Sequence, residues 1–227
     1  MKRYNIFNQV HKGLRELLYQ TASRLQQTDF TTVHEKTAAL TQVNMVIDLF
    51  DKHAHTEDYF ILPALAQYEP SVCNLFEEEH VQDHALGEKL REIIRGIDQS
   101  VSDEDVNTWG AVLRPVFVEF LVFNLNHMAK EEEVLNKLLW RYYSDEELKG
   151  ITQQIIAHQP PEAMQLFSSW MMKGLSNSEI SDWLLEVRNS APEIMFNNLC
   201  HLAESELPSS RWNQIRDSIL EKQSLAS

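Results

Sequence analysis

Apolar residues recur at three- and four-residue intervals through most of this sequence, and that spacing is the period of an α-helix. Only 6 Gly and 7 Pro punctuate its 227 residues, so the helices must be long and their connections few. The pattern excludes an all-β fold and predicts an all-α one. A first helix is expected from about Tyr4 to Gln26, with Phe7, His11, Leu14, Leu18 and Leu25 on one face. A second follows a cap within Asp29 to Thr32 and runs to about Leu65, bent or ended by Pro63. After a turn at Tyr68 to Ser71, a third spans about Asn74 to Asp98. The fourth runs from about Asp103 to Tyr143, with a kink expected at Pro115.

Beyond Tyr143 the texture changes. Three Ser-x-x-Glu patterns announce helix starts, pairing Ser144 with Glu147, Ser176 with Glu179 and Ser190 with Glu193. Pro160, Pro161, Pro192 and Pro208 break up the same stretch, which predicts four or five shorter helices. The expected organisation is a bundle of four long helices over residues 1–142 and a helical extension over residues 143–227 that packs on it. Phe167, Trp170, Met171, Met172, Trp183 and Trp212 read as core residues of that extension, and apolar tail residues left exposed would favour a homodimer.

A net charge of −14 argues against nucleic acid or an anionic membrane surface as a partner, because binding phosphates needs a basic face. No secretory h-region follows Lys2 and Arg3, and no run approaches the roughly 18 apolar residues of a membrane span. Cys73 and Cys200 are the only cysteines, form no ligand pair, and suit a reducing cytoplasm as free buried thiols.

Histidines interrupt the apolar stripes. On the second helix one face reads Val46, Leu49, Phe50, His53, Glu57, Phe60, Ile61, Ala64; on the fourth it reads Val116, Phe120, Phe123, His127, Glu131, Val134, Leu138. Residues four apart sit about 40° apart around a helix and one turn along it, so each His-x-x-x-Glu points both side chains the same way. The third helix offers His80 and His84, and the first offers His11. A buried carboxylate is costly unless paired or bound to metal. Imidazole mixed with carboxylate at one level of a bundle favours iron or manganese. A single His-x-x-x-Glu is expected by chance, and His158 with Glu162 is such a case, with Pro160 and Pro161 between them. Four successive helices each contributing from a core-facing stripe are much harder to obtain by accident. His34, His158 and His201 fall outside the pattern, Glu77 to Glu79 read as a solvated helix start, and His55 and Asp58 read as a solvated edge or as groups behind the ligands.

The order His11, His53-x-x-x-Glu57, His80/His84, His127-x-x-x-Glu131 resembles the hemerythrin-like, or HHE cation-binding, domain. Local wording agrees: HKGLR, HAHTEDYFILPAL, EEEHVQDHALGEKL and HMAKEEEVLNKLLW. The resemblance covers residues 1–142 and implies an up-down-up-down four-helix bundle followed, as in some bacterial members, by shorter helices. It further implies two non-haem iron ions, oxo- or hydroxo-bridged, with zinc or manganese as substitutes. His11, His53 and His127 would be terminal ligands, and Glu57 and Glu131 the bridges, with Glu132 the alternative where the spacing is five. His80, His84 or both would serve from the third helix.

The same resemblance implies what such a site does. Family members bind oxygen, react with nitric oxide or peroxide, help repair iron-sulfur clusters, or sense oxygen and iron. The expectation is a ligand-binding metalloprotein rather than an enzyme, one that binds or senses O2 or NO or acts in oxidative or nitrosative stress. The alternatives are an iron-binding sensor or interaction protein working through its C-terminal helices, and an iron-sulfur cluster repair protein. A ferritin-like oxidase would need two Glu-x-x-His motifs, and only Glu77 with His80 fits.

Overall fold

The computed structural model describes residues 3–226, with side chains through residue 222. Every regular element among the described residues is helical. Four long helical runs come first: α1 (Asn8–Gln27), then α2 (Val33–Thr56) continued by π1 (Glu57–Ile61) and α3 (Leu62–Ala66), then α4 (Pro70–Gln99). The fourth run is α5 (Asp103–Lys130), π2 (Glu131–Leu135) and α6 (Asn136–Tyr142). Five shorter helices follow among the described residues: α7 (Asp145–His158), α8 (Pro161–Gly174), α9 (Asn177–Ser190), α10 (Glu193–Glu206) and α11 (Ser209–Ala226).

Local chemistry explains most boundaries. Pro70 opens α4, where its missing N–H costs nothing. The hydroxyl of Ser102 accepts from the amide of Asp105, and Asp103, Glu104 and Asp105 meet the positive end of the α5 dipole. Capping boxes form at Ser144 with Glu147 and at Ser176 with Glu179. The third expected box does not. Ser190 is the last residue of α9, its hydroxyl donates to the Glu186 carbonyl, and Pro192 stands at the N-cap of α10. The α5 helix runs through Pro115 without a break.

The chain divides into two compact units, one of residues 1–8 with 17–159 and the other of residues 9–16 with 160–227. In the first, α7 belongs with the bundle: Leu148 joins Phe7, Ile61, Leu62, Leu65, Cys73, Phe76, Leu135 and Leu139 in one buried cluster. The segment before α1 is tied to the same place. Arg3 donates to Asp145 Oδ1 and to the carbonyls of Trp140 and Tyr143, and the Trp140 indole donates to the Tyr4 carbonyl at 2.6 Å. Val46, Leu49, Phe50, Phe117 and Phe120 are buried as well, with the Phe50 and Phe120 rings edge to face at 5.5 Å. Arg114 secures the α1–α2 connection by donating to the carbonyls of Leu25 and Thr28 while its guanidinium lies over Phe30.

In the second unit, Met172, Leu175, Ile180, Leu184, Ala203, Leu207, Trp212, Ile215 and Ile219 form the core. Gly13 and Gly174 let two helix backbones touch, since a Cβ on Gly174 would collide with the Lys12 carbonyl oxygen. Trp170 is buried as expected, while Phe167, Met171 and Trp183 are half-buried.

The run Asp103–Tyr142 is long and apolar enough, by length and composition, to cross a membrane, contrary to the sequence expectation. Its packing on α4 and its buried His127 and Glu131 match a bundle helix, which passes the same test.

Candidate metal centre

Both His-x-x-x-Glu motifs end in a π-turn. The amide of Leu62 bonds the carbonyl of Glu57, and the amide of Asn136 bonds the carbonyl of Glu131, each five residues back. A proline comes next in only one of the two, at Pro63, so proline is not the shared cause. The feature common to both turns is the glutamate. Single π-turns inside α-helices cluster at functional sites, and each resets the register of the residues beyond it. They do so here. Beyond Glu57 the core takes Ile61, Leu62 and Leu65; beyond Glu131 it takes Leu135, Asn136 and Leu139. The uninterrupted helical stripe that assigned Phe60, Ala64, Val134 and Leu138 to the core is therefore off by one residue, and Val134 is exposed.

Two groups of possible ligand atoms result, each with all its atoms within 4.8 Å of one another: His11, His53, Glu57, Glu131, and Glu57, His80, His127, Glu131. Every member is buried, with His11 and Glu131 at 0% exposure. The two glutamates belong to both groups. Glu57 turns its oxygens to different histidines, Oε1 lying 3.3 Å from His53 Nε2 and Oε2 3.4 Å from His80 Nε2. Glu131 Oε1 lies 3.0 Å from His127 Nε2 and 3.9 Å from His80 Nε2. The acidic run at 131–133 divides as its helical positions require: Glu131 inward, Glu132 half-buried and outside both groups, Glu133 exposed.

Of the two α4 histidines, the structure brings His80 to the pocket and leaves His84 outside. The His84 side chain is 64% exposed and its Nδ1 lies 3.2 Å from Asp51 Oδ1. The inward face of α4 reads Phe76, Glu79, His80, Asp83, Gly87, Leu90. Glu79 is thus no solvated helix start. It is 8% exposed, and its Oε2 accepts from His127 Nδ1 at 2.8 Å while its Oε1 accepts from Lys130 Nζ at 2.5 Å. Its position three residues after the buried Phe76 was the available signal. Asp58, on the rim, accepts from His80 Nδ1 at 2.6 Å. His55 stays on the surface beside Tyr59. One turn from the pocket, Asn124 Nδ2 donates to the buried Asp83 at 2.6 Å, a pair with no motif to announce it.

Electrostatics test whether a cation fits. With its Nδ1–H committed to Asp58, His80 can turn only a lone pair from Nε2 toward the carboxylates of Glu57 and Glu131. Lone pair facing lone pair is repulsive unless a proton or a metal ion lies between. Burial alone would lower the His80 pKa, but hydrogen bonding to Asp58, Glu131 and Glu57 pushes it up to about 12. His127 is pushed up to about 9 against the same burial effect, by Glu131 first and then Glu79. Burial acts to raise the Glu79 carboxyl, yet hydrogen bonds from His127 and Lys130 hold it below the usual range. The carboxylates thus favour a positive charge at Nε2 of both rings, whether a proton or a metal ion. The donor set fits metal cations.

Comparison with known proteins agrees. The profile of the hemerythrin HHE cation binding domain matches residues 3–139. The chain belongs to that family. Its hemerythrin-like domain is therefore a cation-binding unit by kinship as well as by donor set. Among curated proteins the chain is similar to F-box/LRR-repeat protein 5 of Mus musculus, 23% identical over 93% of this chain and 33% of that protein. The same protein in Salmo salar is 26% identical over 76% of this chain and 24% of its own length. In Xenopus tropicalis the figures are 26%, 73% and 25%. The chain thus spans about a third or less of these relatives. The mouse alignment, at 93% of the chain, runs well past the end of the hemerythrin-like domain at residue 139.

Proposed function

We propose that this chain holds two iron ions and uses them to bind or sense a small diatomic ligand, O2 or NO, in the cytoplasm. The observation that carries the reading is the sharing of Glu57 and Glu131 between two four-ligand groups. Two ions bridged by two carboxylates need that overlap, whereas one ion held by either group would leave two buried histidines unused. In this assignment His11 and His53 are the terminal ligands of one ion and His80 and His127 those of the other. Neutral imidazoles leave only the two glutamates to offset the charge of two divalent ions, which suits an anionic or electron-accepting ligand. Two nitrogens and two oxygens give each ion four protein donors, fewer than the six that iron commonly takes. The ions, once bound, would supply redox equivalents and coordination positions open to a diatomic molecule. The protein's part is to fix the donors and to keep bulk water out with the buried side chains of Phe50, Phe120, Phe76 and Leu135.

A second reading, an iron-binding sensor acting through its C-terminal helices, is supported by the similarity to F-box/LRR-repeat protein 5 that extends past the bundle. Anaerobic addition of Fe(II) to the metal-free chain, with metal analysis and optical spectra under O2 and NO, tests the primary reading. About two irons per chain and a near-ultraviolet band that changes with either gas are expected. Failure to take up iron would overturn both readings; two irons with no response to either gas would leave the sensor.

A further inference from the structure

Two carboxylates stand behind the histidines of one ligand group. Glu79 on α4 takes His127 Nδ1 at 2.8 Å, and Asp58 on π1 takes His80 Nδ1 at 2.6 Å. Each is the immediate sequence neighbour of a ligand on its own helix, Asp58 of Glu57 and Glu79 of His80, yet each supports a ligand on a different helix. The contacts link the runs in order: π1 holds His80 of α4, and α4 holds His127 of α5. Lys130, one turn beyond His127, closes the last link by donating to the other oxygen of Glu79 at 2.5 Å.

We propose that Glu79 and Asp58 are positioning residues of the metal centre, which fix Nε2 of His127 and His80 as the metal-facing nitrogens and set the affinity of the ion those two histidines hold. Their role rests on the metal-binding reading above. An imidazole whose Nδ1–H is held by a carboxylate has one tautomer and one ring orientation, and its Nε2 becomes a more basic donor. In both rings that nitrogen is the one facing the shared glutamates, 3.0 Å from Glu131 for His127 and 3.4 Å from Glu57 for His80. Glu79 is the stronger of the two supports. Its side chain is 10% exposed against 44% for Asp58, so water screens the Glu79 contact far less.

Three variants of the full chain, Glu79→Leu, Glu79→Gln and Asp58→Asn, test this by anaerobic titration with Co(II), read by calorimetry and visible absorption. In Glu79→Leu one of the two binding steps should weaken about 10- to 100-fold while the other holds. The Co(II) spectrum of that step should shift, and the melting temperature of the metal-free protein should fall far less than that of the loaded one. Glu79→Gln, which keeps an acceptor for Nδ1 but not the charge, should recover part of the affinity. Asp58→Asn, at the rim, endangers no core packing and should weaken the same step by less. Unchanged constants and spectra in Glu79→Gln and Asp58→Asn, with two ions bound by the parent chain, would overturn the positioning role and leave the metal site standing. Absence of Co(II) and Fe(II) binding in the parent chain would overturn both.

Discussion

The backbone amide of Leu62 donates to the carbonyl of Glu57, five residues back, and this bond sets the register in which Leu62 and Leu65 enter the apolar core. An α-helical continuation would reach back four residues and would carry Leu62 and Leu65 around the helix by about 100°. The extra residue in the turn keeps His53 and Glu57 facing the other ligands while Leu62 and Leu65 face the apolar cluster below them. Asn136 and Glu131 repeat the device on the opposite run.

Deleting Tyr59, an exposed residue within π1, should therefore be far more damaging than its surface position suggests. Closing the π-turn would restore regular hydrogen bonding but force a choice between the ligand face and the apolar face. Burying Leu62 and Leu65 each contributes about 1.5–3 kcal/mol. We expect loss of several kcal/mol in urea unfolding of the metal-free protein, whereas Tyr59→Ala should cost under about 1 kcal/mol.

Glu131→Gln should remove most of the metal-induced stabilisation. Glu131 is 0% exposed and serves both ligand groups, so losing its charge weakens both ions at once. A ligand present at a thousand times its Kd raises stability by about 4 kcal/mol. The parent chain should show a rise of that order in Fe(II) or Zn(II), and Glu131→Gln should lose most of it. An unchanged metal-dependent rise in melting temperature would contradict the shared role.

The sequence made the helices and the two His-x-x-x-Glu pairs readable because an apolar stripe broken by ionisable groups has no cheap alternative explanation. It did not make the π-turns readable, because their cause is tertiary: a ligand face and an apolar face one residue out of step. Glu79 was misplaced for a related reason. Three consecutive glutamates look like a solvated first turn, and only the phase set by Phe76 and His80 reveals that the third points inward. The capping box at Ser190 failed because Pro192 begins the next helix without needing a side-chain cap.

His84 supplies the sharpest test of that helical phase. By spacing alone it is as good a ligand as His80, yet it lies against Asp51 on the surface. His84→Ala should leave metal stoichiometry and affinity unchanged within error, and stability within about 0.5 kcal/mol. His80→Ala should remove at least one ion per chain, as measured by metal analysis after desalting.

Asp83 predicts an acid-side pH dependence. Burial raises its carboxyl from the ordinary 3.8 to about 6, with Asp51 adding to the rise and the hydrogen bond from Asn124 opposing it. The folded protein therefore holds this proton to higher pH than the unfolded chain does. The stability it contributes is complete below the unfolded value and disappears as pH climbs through about 6. A shift of that size corresponds to about 3 kcal/mol. Asp83→Asn preserves an acceptor for Asn124 and has nothing to ionise. His127 works in a different window, its contribution being lost as pH rises toward about 9, and it is common to both proteins. Urea unfolding of the metal-free proteins at about pH 4.5 and pH 7 spans most of the Asp83 window, and the parent should lose about 2 kcal/mol more than Asp83→Asn. Parallel losses in the two proteins would mean that Asp83 is not held protonated in the fold.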